Sequence, residues 1–124
     1  MSQKKILLVE DNEFNRKIVH DLLARHPYDL MEAHDGETGV EAARREKPNL
    51  IIMDVQLPKM TGLEATRQIR AEPEIAKIPI IVVTSFALSG DDKKAMDAGA
   101  SAYLAKPYSP RQLLEAIKKW LGDA

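Results

Sequence analysis

Residues 49–62 read NLIIMDVQLPKMTG: the apolar run Leu50 to Met53 is followed at once by Asp54. A run without polar alternation marks a strand buried on both faces, as in the middle of a parallel sheet covered by helices. Asp54 then stands at that strand's carboxyl end, the edge along which open α/β sheets bind ligands. Two further runs, ILLV at 6–9 and IIVV at 80–83, have the same character, and weaker strands fall near 28–33 and 101–105. Segments of helical period lie between them. The alternation predicts an α/β fold, a (βα)5 flavodoxin-like doubly wound parallel sheet of five strands in the order 2-1-3-4-5 with helices on both faces.

Helix starts are marked as well. Thr61 with Glu64, and Ser109 with Gln112, have capping-box spacing, and Pro110 takes the favoured first helical position. In the last segment Leu113, Leu114, Ile117, Trp120 and Leu121 form one stripe, predicting an amphipathic helix with a single core-facing side. Asp35 reads as a helix cap. Gly36 and Gly39 do not form a phosphate loop, because no G-x-x-x-x-G-K pattern follows a strand. His20, His26 and His34 have neither metal-ligand spacing nor a place in a Ser-His-Asp arrangement, and are expected on the surface or in helix packing.

The 124 residues suit one domain, and no proline-rich or glycine-serine linker divides them. Residues 1–124 are therefore expected to form a single unit with no output domain. With no cysteine, disulfides, thiolate metal sites and cysteine nucleophiles are excluded. No apolar run approaches the ~20 residues of a membrane span. The start, MSQKK, lacks the apolar stretch of a signal peptide, so the expected location is the cytoplasm, away from membrane. Eighteen basic against nineteen acidic residues give a net charge of -1, without the basic excess of a nucleic-acid footprint.

Glu10 and Asp11 repeat the placement of Asp54, since they follow the run Ile6 to Val9 directly. In the expected strand order the first and third strands are neighbours, which gathers Glu10, Asp11 and Asp54 into one pocket at the topological switch point. Two carboxylates ~4 Å apart repel by about 4 kcal/mol at an effective dielectric near 20, so three need a cation or a proton. Magnesium suits such a set, taking oxygen ligands while keeping several waters. Separately, an acid pair after a strand reads as a cap or solvated turn, and a lone Asp54 as a turn residue. Thr84, ending a third apolar strand, and Lys106, in AYLAKPYS, add a hydroxyl and an ammonium on the same edge. Together they suit an aspartyl-phosphate: one carboxylate as nucleophile, others on metal, a hydroxyl and a cation gripping phosphoryl oxygens.

Through VEDN (Glu10, Asp11), MDVQLPKMTG (Asp54, Pro58, Gly62), VTS (Thr84) and AYLAKP (Tyr103, Lys106, Pro107), the whole chain resembles the receiver domains of two-component response regulators. In VEDNEFNRKIVHDLL, MDVQLP and VTSFALSGD the resemblance is to single-domain receivers of the DivK type. It implies that Asp54 accepts a phosphoryl group from a histidine kinase or a histidine phosphotransfer protein. Glu10, Asp11, Asp54 and the backbone carbonyl of Gln56 would bind Mg2+, with Mn2+ as a substitute, while Thr84 and Lys106 hold the phosphoryl. The family's Lys-Pro bond is cis, which would make Pro107 a device that aims Lys106 into the pocket. Glu10 stands where many relatives have aspartate, a longer arm able to reach the metal through water.

The resemblance further implies a signalling module that modifies itself rather than an enzyme with a separate substrate. Thr84 and Tyr103 match the family's switch positions, and a downstream protein would read the face of the fourth helix, fifth strand and fifth helix, with Lys94, Tyr103, Tyr108 and Lys118 as candidate contacts. The chain would be a monomer or a weak phosphorylation-dependent dimer. Phe14 and Asn15 read either as first-turn residues or as contacts to the phosphodonor. Gln56 and Phe86 flank the family's path for hydrolytic water, so the bulk of Phe86 is expected to prolong the phosphoryl's life. Two alternatives stand beside this reading. One is a receiver fragment of a hybrid histidine kinase or multidomain regulator. The other is a haloacid-dehalogenase-like phosphohydrolase, whose second acid two residues beyond the nucleophile is here Gln56.

Overall fold

The computed structural model describes residues 3–84 and 91–122. Strands and helices alternate: β1 (Lys4–Val9), α1 (Glu13–Leu23), β2 (Tyr28–Ala33), α2 (Gly36–Glu46), β3 (Leu50–Asp54), α3 (Gly62–Arg70), β4 (Ile80–Thr84), α4 (Asp91–Ala98), β5 (Ala102–Ala105) and α5 (Pro110–Leu121). All pairings are parallel and the order is β2-β1-β3-β4-β5, as the sequence predicts. Every residue of β3 and β4 is buried. The edge strands β2 and β5 mix buried and open positions, which is why their apolar signal is weaker.

Strand alternation splits the core into two layers. On one face Ile6, Leu8, Leu50, Ile52, Ile81 and Val83 meet Val19 and Leu23 of α1 and Leu113 and Ile117 of α5. On the other, Leu7, Val9, Ile51, Met53, Ile80 and Val82 meet Val40 and Ala43 of α2, Ala65 and Ile69 of α3, and Ala95 of α4. Each such side chain contributes roughly 1.5–3 kcal/mol when fully buried, so the two layers hold the strand ends in fixed register. Gly39 lets α2 lie close on β1, because a Cβ there would sit 2.9 Å from both methyls of Val9.

The expected caps form. Asp35 accepts from the Thr38 N–H, and Thr61 with Glu64 and Ser109 with Gln112 make reciprocal capping boxes. Asn12 caps α1 in the same way, accepting from the Asn15 N–H. The stripe on α5 forms with one exception: Leu113 and Ile117 are buried, and Leu114 and Leu121 pack against the same layer. Trp120 is 39% exposed, and the Lys119 ammonium rather than the core covers its ring, at 5.9 Å. Arg70 has no counterpart in the sequence reading: its guanidinium donates to the carbonyls of Ala76, Ile78 and Gly99 and to the Ser101 hydroxyl, joining the end of α3 to the approaches to β4 and β5. No helix of the described residues is long and apolar enough to cross a membrane.

Candidate functional site

Three strands deliver their last residues to one edge. β1 runs into Glu10, β3 ends at Asp54 and β4 at Thr84, and β3 pairs with both of the others. These three polar side chains are all buried, at 4, 5 and 2% exposure respectively. Such groups are costly to bury unless partnered, so the site is built rather than incidental. Lys106 arrives from the end of β5, its N–H donating to the Thr84 carbonyl at 2.7 Å, and the Lys106–Pro107 bond is cis. Its ammonium lies 3.1 Å from Glu10 Oε1 and 3.6 Å from Asp54 Oδ2. Asp11 sits exposed at the rim. Carboxylate oxygens of Glu10, Asp11 and Asp54 all fall within 4.8 Å of one another.

The loop after β3 is tied tightly beneath this edge. The N–H groups of Leu57 and Gly62 both donate to the Val55 carbonyl, at 2.9 and 3.1 Å. A Cβ on Gly62 would collide with the carbonyl of Asp54, so any larger residue would displace the backbone that carries the acid. The Gln56 N–H donates to Asp54 Oδ1 at 3.1 Å, and the Gln56 side-chain amide donates to Thr84 Oγ1 at 2.7 Å. Glu10, despite its longer arm, folds back into the pocket: its carboxylate accepts from the Asn12 N–H at 3.1 Å and from Lys106. Arg16 of α1 donates to the Glu10 carbonyl at 2.9 Å.

Burial, followed by the adjoining Glu10 carboxyl, pushes the Asp54 carboxyl up to about 7 against the pull of Lys106. Burial also opposes ionisation of Glu10, but hydrogen bonds from Asp54 and the Asn12 N–H, with the Lys106 charge, outweigh it and hold Glu10 below its ordinary value. The pair therefore resists carrying both charges, and Asp54 is the member that holds its proton to the higher pH. One ammonium does not balance three carboxylates. A hard divalent cation does, and the all-oxygen donor set with an open, exposed side at Asp11 fits magnesium with several retained waters.

The electrostatics make a testable statement about stability. A carboxyl whose folded-state value is raised stabilises the folded chain fully below its unfolded value, near 3.8, and that stability is lost as pH climbs towards about 7. Glu10, shifted the other way, acts only at lower pH, in the range of its ordinary value of 4.5 and beneath. Metal-free protein should therefore lose roughly a few kcal/mol of stability between pH 4 and pH 7. Saturating magnesium should flatten that slope by favouring ionised Asp54. Thermal melts across this pH range with and without magnesium check it, and parallel curves would contradict the assignment.

Beside the acid edge lies a groove of about 460 Å3 lined by Asn15, Ile18, Lys106, Pro107 and Tyr108. At the start of α1, Phe14 is 71% exposed and Ile18 47%. Tyr108 thus faces α1 rather than α4, which separates it from Lys94 on the other flank of the fold. Tyr103 packs against the α2/α3 layer, and its strand neighbour is Val82, two pairs before Thr84 with Ala105. Phe86 lies outside the described residues. The histidines gather at no site: His26 stacks on Tyr28 at 6.2 Å, and His20 and His34 are exposed. The Gln56 to Thr84 bond and the Arg16 contact escaped the sequence reading, since neither follows any local period.

The family described as the response regulator receiver domain matches residues 6–118. The polar-differentiation response regulators DivK of Brucella anthropi and Brucella melitensis are each 40% identical over 121 residues, covering 98% of this chain and 98% of theirs. Among solved structures, the receiver domain of sensor histidine kinase PA1611 from Pseudomonas aeruginosa PAO1 has a TM-score of 0.89 and 37% identity, covering 99% of this chain and 100% of that one. That structure holds a magnesium ion in its active-site cleft. A response regulator structure from Chloroflexus aurantiacus has a TM-score of 0.91 at 26% identity, covering 98% of both chains.

Proposed function

This chain belongs to the response regulator receiver domain family and is DivK-like, and from that premise we propose that Asp54 is its phosphoacceptor in a histidine-to-aspartate phosphorelay. The observation that carries the reading is the convergence of Glu10, Asp11, Asp54, Thr84 and Lys106, from four separate strand ends, on one small volume. A carboxylate oxygen of Asp54 attacks the phosphorus of a phosphohistidine as the P–N bond breaks. The imidazole leaves with the electron pair and takes a proton from solvent. Lys106, close to Asp54 Oδ2, and the Thr84 hydroxyl serve the phosphoryl oxygens. Glu10, Asp11, Asp54 and the Gln56 carbonyl would hold magnesium or manganese, which when bound would supply positive charge favouring ionised Asp54 and offsetting that of the phosphoryl.

The open apolar pair Phe14 and Ile18, next to the groove that ends at Lys106, supports reading α1 as the seat of the phosphodonor protein. A histidine kinase or phosphotransfer protein must bring its imidazole to the sheet edge over that face. Phe14→Asp and Ile18→Asp should therefore slow transfer from a phosphorylated histidine protein by about tenfold or more, the scale of losing an apolar anchor. Labelling by acetyl phosphate, which needs no docking face, should be unchanged. Equal slowing with both donors would sink the docking role, and absence of any aspartyl-phosphate would sink the phosphoacceptor reading.

Family membership sets aside the phosphohydrolase alternative. The similarity to a sensor kinase's receiver at 37% identity favours keeping a second reading, that the chain serves as the receiver part of a larger kinase or regulator. The length of the native gene product distinguishes the two.

A further inference from the structure

Asp54 and Thr84 leave the sheet towards opposite layers. Asp54 continues the series Leu50, Ile52 that faces α1 and α5, whereas Thr84 continues Ile80, Val82, which faces α2 and α3. Gln56 spans the offset. Its N–H holds Asp54 Oδ1 at 3.1 Å while its side-chain amide donates to Thr84 Oγ1 at 2.7 Å, inside a site where Thr84 is 2% exposed. That bond engages the Thr84 hydroxyl oxygen. A phosphoryl group on Asp54 offers a charge-assisted bond, stronger than the neutral amide-to-hydroxyl bond that Thr84 would leave.

We propose that the Gln56 side chain is a positioning residue that holds Thr84 in its unphosphorylated place, so that its bond to Oγ1 subtracts from the gain when Thr84 turns to the phosphoryl. Gln56 thereby has two separable roles. Its backbone belongs to the metal and Asp54, and its side chain sets how readily the switch threonine responds. The inference rests on the phosphoacceptor reading of Asp54.

The probe is beryllium fluoride with saturating magnesium, a phosphoryl mimic that adds to an aspartate, followed through the NMR resonances of Thr84 and Tyr103. Gln56→Leu and Gln56→Met keep the backbone groups and remove the side-chain hydrogen bond. Both should lower the half-saturating concentration about threefold to tenfold, the range of one net hydrogen bond. Magnesium is brought to saturation separately for each variant, so that the half-saturation reports fluoride addition alone. In a Thr84→Ala background the same replacements should change the half-saturation by less than about twofold, because the bond to Thr84 Oγ1 is already gone there. An unchanged or raised half-saturation, or an equal fall in both backgrounds, would overturn the tether. A parent chain that binds magnesium but takes up no beryllium fluoride would overturn the Asp54 reading itself.

Discussion

Asp54→Asn protein, given magnesium and a phosphorylated histidine donor, takes up no acid-stable, hydroxylamine-sensitive phosphate. The replacement removes the anionic oxygen and little else: the side chain keeps its volume at the end of a strand buried over its whole length. Loss of a covalent nucleophile costs on the order of 10^3-fold or more in rate, so labelling should fall to background. Far-UV and thermal measurements should show an intact fold. They should also show that the fall in metal-free stability towards neutral pH has gone, because an amide does not titrate and Glu10 loses its like-charged neighbour. Two readouts thus converge on one residue. Undiminished labelling at another side chain would remove Asp54 from its role, whatever the melts show.

The parts of this arrangement that were legible in sequence are those set by local or periodic physics. β3 and β4 carry unbroken apolar runs because both of their faces are covered, and the polar residue that ends each run marks the edge. Thr61 and Ser109 announce α3 and α5 because a cap needs its partner at fixed spacing. Edge strands β2 and β5 are covered less completely, so their pattern is diluted and only their approximate positions could be read. The acid cluster was legible through topology, since strand order alone brings β1 and β3 side by side. What no period predicts is which long polar side chain crosses to a neighbouring strand. Gln56 reaching Thr84, Arg70 reaching four groups beyond α3, and Glu10 folding back to Lys106 are all products of tertiary packing. Trp120 shows the opposite failure: one member of a sound helical stripe lies open while its neighbour Leu121 packs against the core.

Thr84→Ala separates phosphorylation from its consequence. Its hydroxyl is not the nucleophile, so the variant should still accept phosphate at Asp54, while losing most of the phosphate-dependent gain in affinity for a downstream partner. Phosphorylation brings a charge of about -2 and new acceptor oxygens to the sheet edge, enough to draw in a hydroxyl and Lys106 through charge-assisted bonds. Thr84 and Tyr103 stand on the same side of neighbouring strands, two residue pairs apart, with Tyr103 only partly buried against the α2/α3 layer. On the proposed phosphoacceptor reading, Thr84 turning towards phosphate would vacate space for Tyr103 to fill and would give the face of α4, β5 and α5 two arrangements. Moving such a pair from 1:99 to 99:1 takes about 5.5 kcal/mol of differential interaction. Lys106 alone supplies part of this, and it is already engaged with Glu10 and Asp54 before any phosphate arrives. The hydroxyl is therefore the group whose bonding changes most. Without it the phosphate remains in place and the surface does not follow. Lys94 and Lys118 stand exposed on α4 and α5, where a partner would meet them. Titrating a labelled partner with phosphorylated parent and variant should show the parent's gain cut by about tenfold or more in Thr84→Ala, on the scale set by losing one charge-assisted bond of roughly 1.5–3 kcal/mol. Equal gains in both proteins would mean that the signal leaves the site through another element, with Lys106 and β5 the first to test.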